Sequence, residues 1–184
     1  MFYLDSNTNK RYRIGTPFTY GGVQYTRAGA SHATFMSLGF TQVLVAPRPD
    51  SRFYVVTGPD NTGAYTKTNR DLTELKKVFV KAEKTTSFQL LASTDWYVLR
   101  FIDLGFMDPN GAIPTAIKNY RNNIRTVSNE RCLEINDCQT VAELETLIKA
   151  PAILINSETQ ESYTNPAAMT EWPTLDTETY SVYS

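Results

Sequence analysis

The sequence predicts an α+β protein with a β-rich, sandwich-like N-terminal domain followed by an α-helical domain, and three observations carry that expectation. Residues 1–70 hold seven of the nine glycines and eleven aromatic residues, broken up by Gly, Pro and Asn. Such punctuation of short apolar runs is the signature of strands and tight turns. After Arg70 the apolar residues recur at intervals of three and four, the spacing of one helix face. A chain of 184 residues with 41% hydrophobic and 20% charged residues has enough apolar material for two small cores.

In chain order, strands are expected at Phe2–Leu4, Arg11–Ile14, Phe18–Tyr20, Val23–Thr26, Thr41–Val45 and Phe53–Thr57. Gly21-Gly22 supplies the positive φ of a hairpin turn between the third and fourth of them. Ser31 to Gly39 reads as a short helix, with Ser31 as N-cap and Gly39 closing it. From Asp71 into Leu90-Leu91, the residues Leu72, Leu75, Val78 and Phe79 mark a long helix, with Asp71 placing acid at its start. Thr94-Asp95 opens a further helix through Trp96, Tyr97, Leu99 and Ile102, although Trp96–Phe101 also has strand propensity. Asp108-Pro109-Asn110-Gly111 is a turn, and Pro114 opens a helix whose stripe is Ile117, Tyr120, Ile124 and Val127. Thr140-Val141-Ala142-Glu143 has the form of a capping box, starting a last short helix that Pro151 stops. The chain thus divides into a head (1–70), a helical domain (71–150) and an acidic, extended tail (151–184), in which Trp172 is the residue expected to dock.

Charge is unevenly spread. Lys and Arg number eight against three Asp and Glu in residues 1–70, ten against eleven in 71–150, and none against five in 151–184. The reading is a solvated surface with a basic head and an acidic tail. Lys10-Arg11-Tyr12-Arg13 interleaves bases with an aromatic, but so short a cluster in a chain of pI 5.9 argues for a strand face and against nucleic acid. No stretch approaches a membrane span, and the N-terminal residues lack the pattern of a secretory signal, so cytoplasmic synthesis is expected. Cys132 and Cys138 read as reduced thiols. With His32 as the single histidine, expected at a turn or the surface, neither a metal site nor a cofactor is expected. The phosphate-binding loop and the Gly-x-Ser-x-Gly elbow do not occur, and nothing places paired carboxylates in one pocket, so the chain reads as a non-enzyme.

The run Leu91-Ala92-Ser93-Thr94-Asp95-Trp96-Tyr97-Val98-Leu99-Arg100, followed by Ile113-Pro114, Tyr120-Arg121 and Ile124-Arg125, resembles the C-terminal segment of phage tail-fibre assembly proteins. The likeness covers roughly residues 88–127 and extends to Asn165-Pro166 and Trp172-Pro173. It implies a chaperone that binds the distal part of a tail fibre, assists its trimeric assembly in the cytoplasm of the infected host cell, and acts as a trimer or as three copies per fibre. Given the change of composition near Arg70, the head would contact the variable fibre tip through exposed tyrosines, with Tyr3, Tyr12, Tyr20, Tyr25 and Tyr54 as candidates. The helical domain would supply core or docking residues, namely Trp96, Tyr97, Arg100, Ile117, Tyr120 and Ile124, with Trp96 read first as a core tryptophan. Two rivals are a structural component retained in the virion, such as a fibre adaptor or baseplate decoration, and a carbohydrate-binding or hydrolytic accessory. The last would need a concave aromatic site.

Overall fold

The computed structural model describes residues 1–104, 112–155, 157 and 159–175. The predicted turn at Asp108–Gly111 lies outside the described residues. Two compact units follow one another along the chain, Met1–Arg70 and the part from Asp71 on. The architecture is α+β, with strands first and helices after.

The head contains β1 (Phe2–Asp5), β2 (Lys10–Tyr12), β3 (Phe18–Tyr20), β4 (Val23–Tyr25), α1 (His32–Ser37), β5 (Thr41–Val43), β6 (Tyr54–Thr57) and β7 (Thr66–Asn69). β2, β1 and β5 form one antiparallel sheet in that order, while β3–β4 and β6–β7 are separate hairpins. Strands of three or four residues cannot build two broad facing sheets, so the layering comes from other pieces. Along β1, side chains alternate between faces, and both faces are covered. Tyr3, paired with Tyr12 across the ladder, packs with Phe35 of α1, with Phe18 and Tyr20 of the β3–β4 hairpin, and with Phe40. On the other face, Phe2 pairs with Val43 and lies beneath the Arg11 guanidinium, which is held by the β6–β7 loop. That loop comes so close to the backbone after β5 that a Cβ on Gly63 would meet the Leu44 carbonyl oxygen at 2.1 Å, and its φ of +86° also suits only glycine. β7, Thr66–Asn69, has no apolar residue and was not expected from the sequence; pairing with β6 makes it a strand.

The second unit contains α2 (Leu72–Ala92), α3 (Asp95–Leu104), α4 (Thr115–Asp137), α5 (Val141–Lys149) and a hairpin of β8 (Ile153–Ile155) and β9 (Ser162–Thr164). Two caps, Ser31 and Thr140, match the sequence expectation, and Asp71, expected only as acid at the helix start, caps α2 as well. Ser31 accepts from the Thr34 N–H in the head, and in this unit Asp71 accepts from Glu74 and Thr140 from Glu143. The Glu143 carboxylate reaches back to the Gln139 N–H, one residue before the cap, at 2.7 Å. α2 packs along α4, whose buried stripe is Ile117, Tyr120, Ile124, Ser128 and Ile135, with Val127 half-buried. Val141 and Leu144 of α5 complete the core. Cys138 is buried and Cys132 half-buried, both free thiols. Burial pushes the Cys138 thiol up.

The tail, expected to be extended, is a packed part of this unit as far as residue 175. Arg131 on α4 joins Glu83 on α2 at 2.6 Å, donates to the Thr170 carbonyl, and lies 5.2 Å from the Trp172 ring. Glu134 accepts from the Thr170 hydroxyl at 2.6 Å. The docking role expected of Trp172 is therefore met within the chain. A charged residue on the stripe of α4 became an anchor because both of its faces found partners.

Candidate binding surface

The residues that carry the resemblance meet at the junction of α2 and α3. After α2 ends, Thr94 donates its N–H and its hydroxyl to the Leu91 carbonyl, at 3.0 and 2.9 Å. From α4, the Arg121 Nη1 nitrogen lies among three oxygens, the Leu91 carbonyl at 2.8 Å, Thr94 Oγ1 at 2.7 Å and Asp95 Oδ1 at 2.8 Å. Thr94 is fully buried, and the Arg121 side chain is 12% exposed. A guanidinium suits this position because its rigid, permanently charged fork can hold several acceptors at once. Thr94, Asp95 and Arg121 thus form one clasp, tying the start of α3 to α4. The clasping contacts of Arg121 were not read from the sequence; its only signal was its place in the resemblance.

The clasp sets which way α3 faces. Thr94 and Tyr97 are buried on one side of it, whereas Trp96, Leu99 and Ile102 recur every three residues on the other, at 42%, 60% and 66% exposure. Trp96 is therefore not the core tryptophan expected from the sequence. Its ring leans on Tyr97, with centroids 4.4 Å apart, and carries the Arg100 guanidinium at 5.7 Å. Large apolar side chains lined up on one solvent-facing helix side mark an interaction surface more often than single exposed residues do. Phe88, near the end of α2, is exposed as well. Of the other helical candidates, Ile117, Tyr120 and Ile124 are core residues of α4 and are not available for docking.

Of the head tyrosines expected as exposed contacts, Tyr3 and Tyr54 are buried, whereas Tyr12, Tyr20 and Tyr25 are half-buried. Tyr3 is 1% exposed, its hydroxyl 2.6 Å from His32 Nδ1, and Tyr54 is 3% exposed beneath the Lys67 ammonium. Tyr12 is half-buried and stacks on Phe40 at 4.9 Å, with burial pushing its phenol up. Tyr20 meets the same ring edge-on, and Tyr25 stacks on Phe18 at 4.5 Å. All five support the head's packing. A domain of this size with such short strands fills its core with large rings.

Among the described residues no group of His, Cys, Asp and Glu is arranged to hold a metal ion, and no helix is long and apolar enough to cross a membrane. No protein-family model, curated protein or solved structure matches this chain.

Proposed function

We propose that this protein is a non-enzymatic chaperone that binds the distal part of a phage tail fibre and assists its folding and trimeric assembly. The reading joins the resemblance of residues 88–127 to one observation, the solvent-facing apolar side of α3 formed by Trp96, Leu99 and Ile102. A rigid apolar ridge suits the physics of the task. Intertwined β-fibres form through contacts between distant parts of the chain, so apolar strands stay exposed while they assemble. A partner that covers them reversibly needs a preformed apolar surface and no nucleotide. The clasp keeps the ridge oriented before the fibre arrives, which lowers the ordering cost of binding. On this reading the chaperone works in the cytoplasm of the infected host cell, as a trimer or as three copies per fibre trimer.

The test is co-expression with the tail-fibre protein of the same genome, followed by size-exclusion chromatography with light scattering. The proposal expects a fibre that is soluble only in company, eluting with this chain at a fixed ratio. A fibre that folds equally well alone, with this chain found instead in purified particles, overturns it in favour of a structural virion component.

A further inference from the structure

A cleft in the other unit answers to a feature the chaperone reading leaves unused, the run Lys10-Arg11-Tyr12-Arg13. It is a cleft of about 680 Å³ whose walls include Phe2, Arg11, Tyr12, Arg13, Phe18 and Tyr65. Successive residues of a strand face opposite sides of its sheet, so a cleft lined by both Arg11 and Tyr12 runs past the margin of β2. β2 is the outer strand of its sheet, with β1 on one side and no strand on the other among the described residues.

Its charge has one sign. The only charged side chains on the walls are Arg11 and Arg13. Arg11 is committed to the fold: Nε and Nη2 donate to Asn61 Oδ1 at 2.9 and 2.8 Å, and Nη1 donates to the Pro59 carbonyl at 2.7 Å. The Arg13 side chain is exposed and makes no ion pair or hydrogen bond among the described residues. An open strand edge, aromatic walls and one uncommitted guanidinium therefore meet in the same place.

We infer that this cleft binds an extended acidic peptide segment of a partner protein, which adds as a strand to the free edge of β2 and sets a carboxylate on Arg13. An exposed edge offers main-chain hydrogen bonds to a strand, and the side chains that alternate along it give the selectivity. The guanidinium meets a carboxylate through two parallel bonds. A nucleic acid fits less well, since its backbone has no N–H groups to pair with the edge and its phosphates ask for a longer run of bases than two arginines. This inference concerns the head and stands apart from the ridge on α3.

The experiment is a fluorescence-polarisation titration of the intact protein with three labelled probes: a short peptide alternating Glu and Val, the same peptide with Lys at every Glu position, and oligothymidylate. The glutamate peptide should bind and the lysine peptide should not. Arg13→Glu should weaken binding by roughly tenfold or more, the scale of a lost charge-assisted pair, while the far-UV circular dichroism stays unchanged. Amide NMR signals of Lys10–Arg13 should move on titration, as strand addition requires. Equal binding of the two peptides, binding of oligothymidylate alone, or an Arg13→Glu variant that binds as the parent does would overturn the inference.

Discussion

The two units hide their apolar residues in opposite ways. In the head, rings pack on rings: Tyr3, Tyr12, Phe18, Phe35 and Phe40 form one cluster, and the large apolar residues left outside are scattered aliphatic ones such as Ile14, Val23 and Leu44. In the helical unit the core is mostly aliphatic, built on Ile117, Ile124, Ile135 and Leu144, while Phe88, Trp96, Leu99 and Ile102 remain exposed. The difference teaches that the count of aromatics in a segment does not say which of its rings are buried. What decides that is whether the local geometry needs the ring. Short strands need rings to fill a small core, whereas a helix already supplied with an inner face can leave a tryptophan outside.

The contrast can be broken most sharply at the centre of the head. Phe35 is completely buried among four rings, so Phe35→Ala should cost about 3–5 kcal/mol. That approaches the whole stability of a unit of this size. Urea titration followed by near-ultraviolet circular dichroism should show the head's signal lost early, while the helical signal at 222 nm persists. Coincident loss of both signals would mean that the units do not unfold separately.

The helical unit depends on buried polar anchors instead. Arg131→Ala leaves the Glu83 carboxylate, 13% exposed, without its partner, removes the cation over Trp172 and leaves Thr170 held by Glu134 alone. The expected loss is about 3 kcal/mol, read as a lowered urea midpoint, with Trp172 fluorescence shifting to the red as the tail lifts. Arg121→Ala should cost about 2 kcal/mol, and Arg121→Lys should recover part of it, since all three contacts are made by the one nitrogen Nη1.

Acid sharpens the comparison from the head's side. The Thr8 hydroxyl holds the Asp5 carboxyl below the usual carboxylate range, and the Thr62 hydroxyl does the same for Asp60. Both folded values are lowered, so the stability they add is present above the ordinary carboxylate pKa and is lost as pH falls below about 4 and through the folded values. The head's urea midpoint should fall over that window, and by less in an Asp5→Asn, Asp60→Asn double variant compared with its own value at neutral pH. An unchanged slope would show that these hydrogen bonds do not couple folding to protons.

Much of the fold was legible in the sequence because its signals are local. Ser31 and Thr140 cap the helices they were expected to cap, Asp71 lies at the helix start as expected, and the spacing of Ile117, Tyr120 and Ile124 identified the inner side of α4. What stayed hidden depends on partners far along the chain. β7 is polar throughout and becomes a strand only beside β6, and the tail is ordered by Arg131, which lies 39 residues before Thr170. The exposed side of α3 was hidden for the same reason. Trp96 and Tyr97 are adjacent and chemically alike, and the Arg121 contacts that hold the start of α3 come from a residue more than twenty positions further on.

The smallest expected effect on stability belongs to the residues that matter most to the proposal. Replacing Trp96, Leu99 and Ile102 together by Ala, Ser and Ser removes exposed side chains and should change the unfolding free energy by less than about 0.5 kcal/mol per site. The direct measurement is co-purification of the tail-fibre protein with this triple variant, beside the parent and beside Tyr25→Ala in the head. The account predicts that the triple variant folds normally and leaves the fibre insoluble, while Tyr25→Ala still brings it down in soluble form. A folded triple variant that solubilises the fibre as well as the parent does would contradict the claim that the α3 ridge is the docking surface.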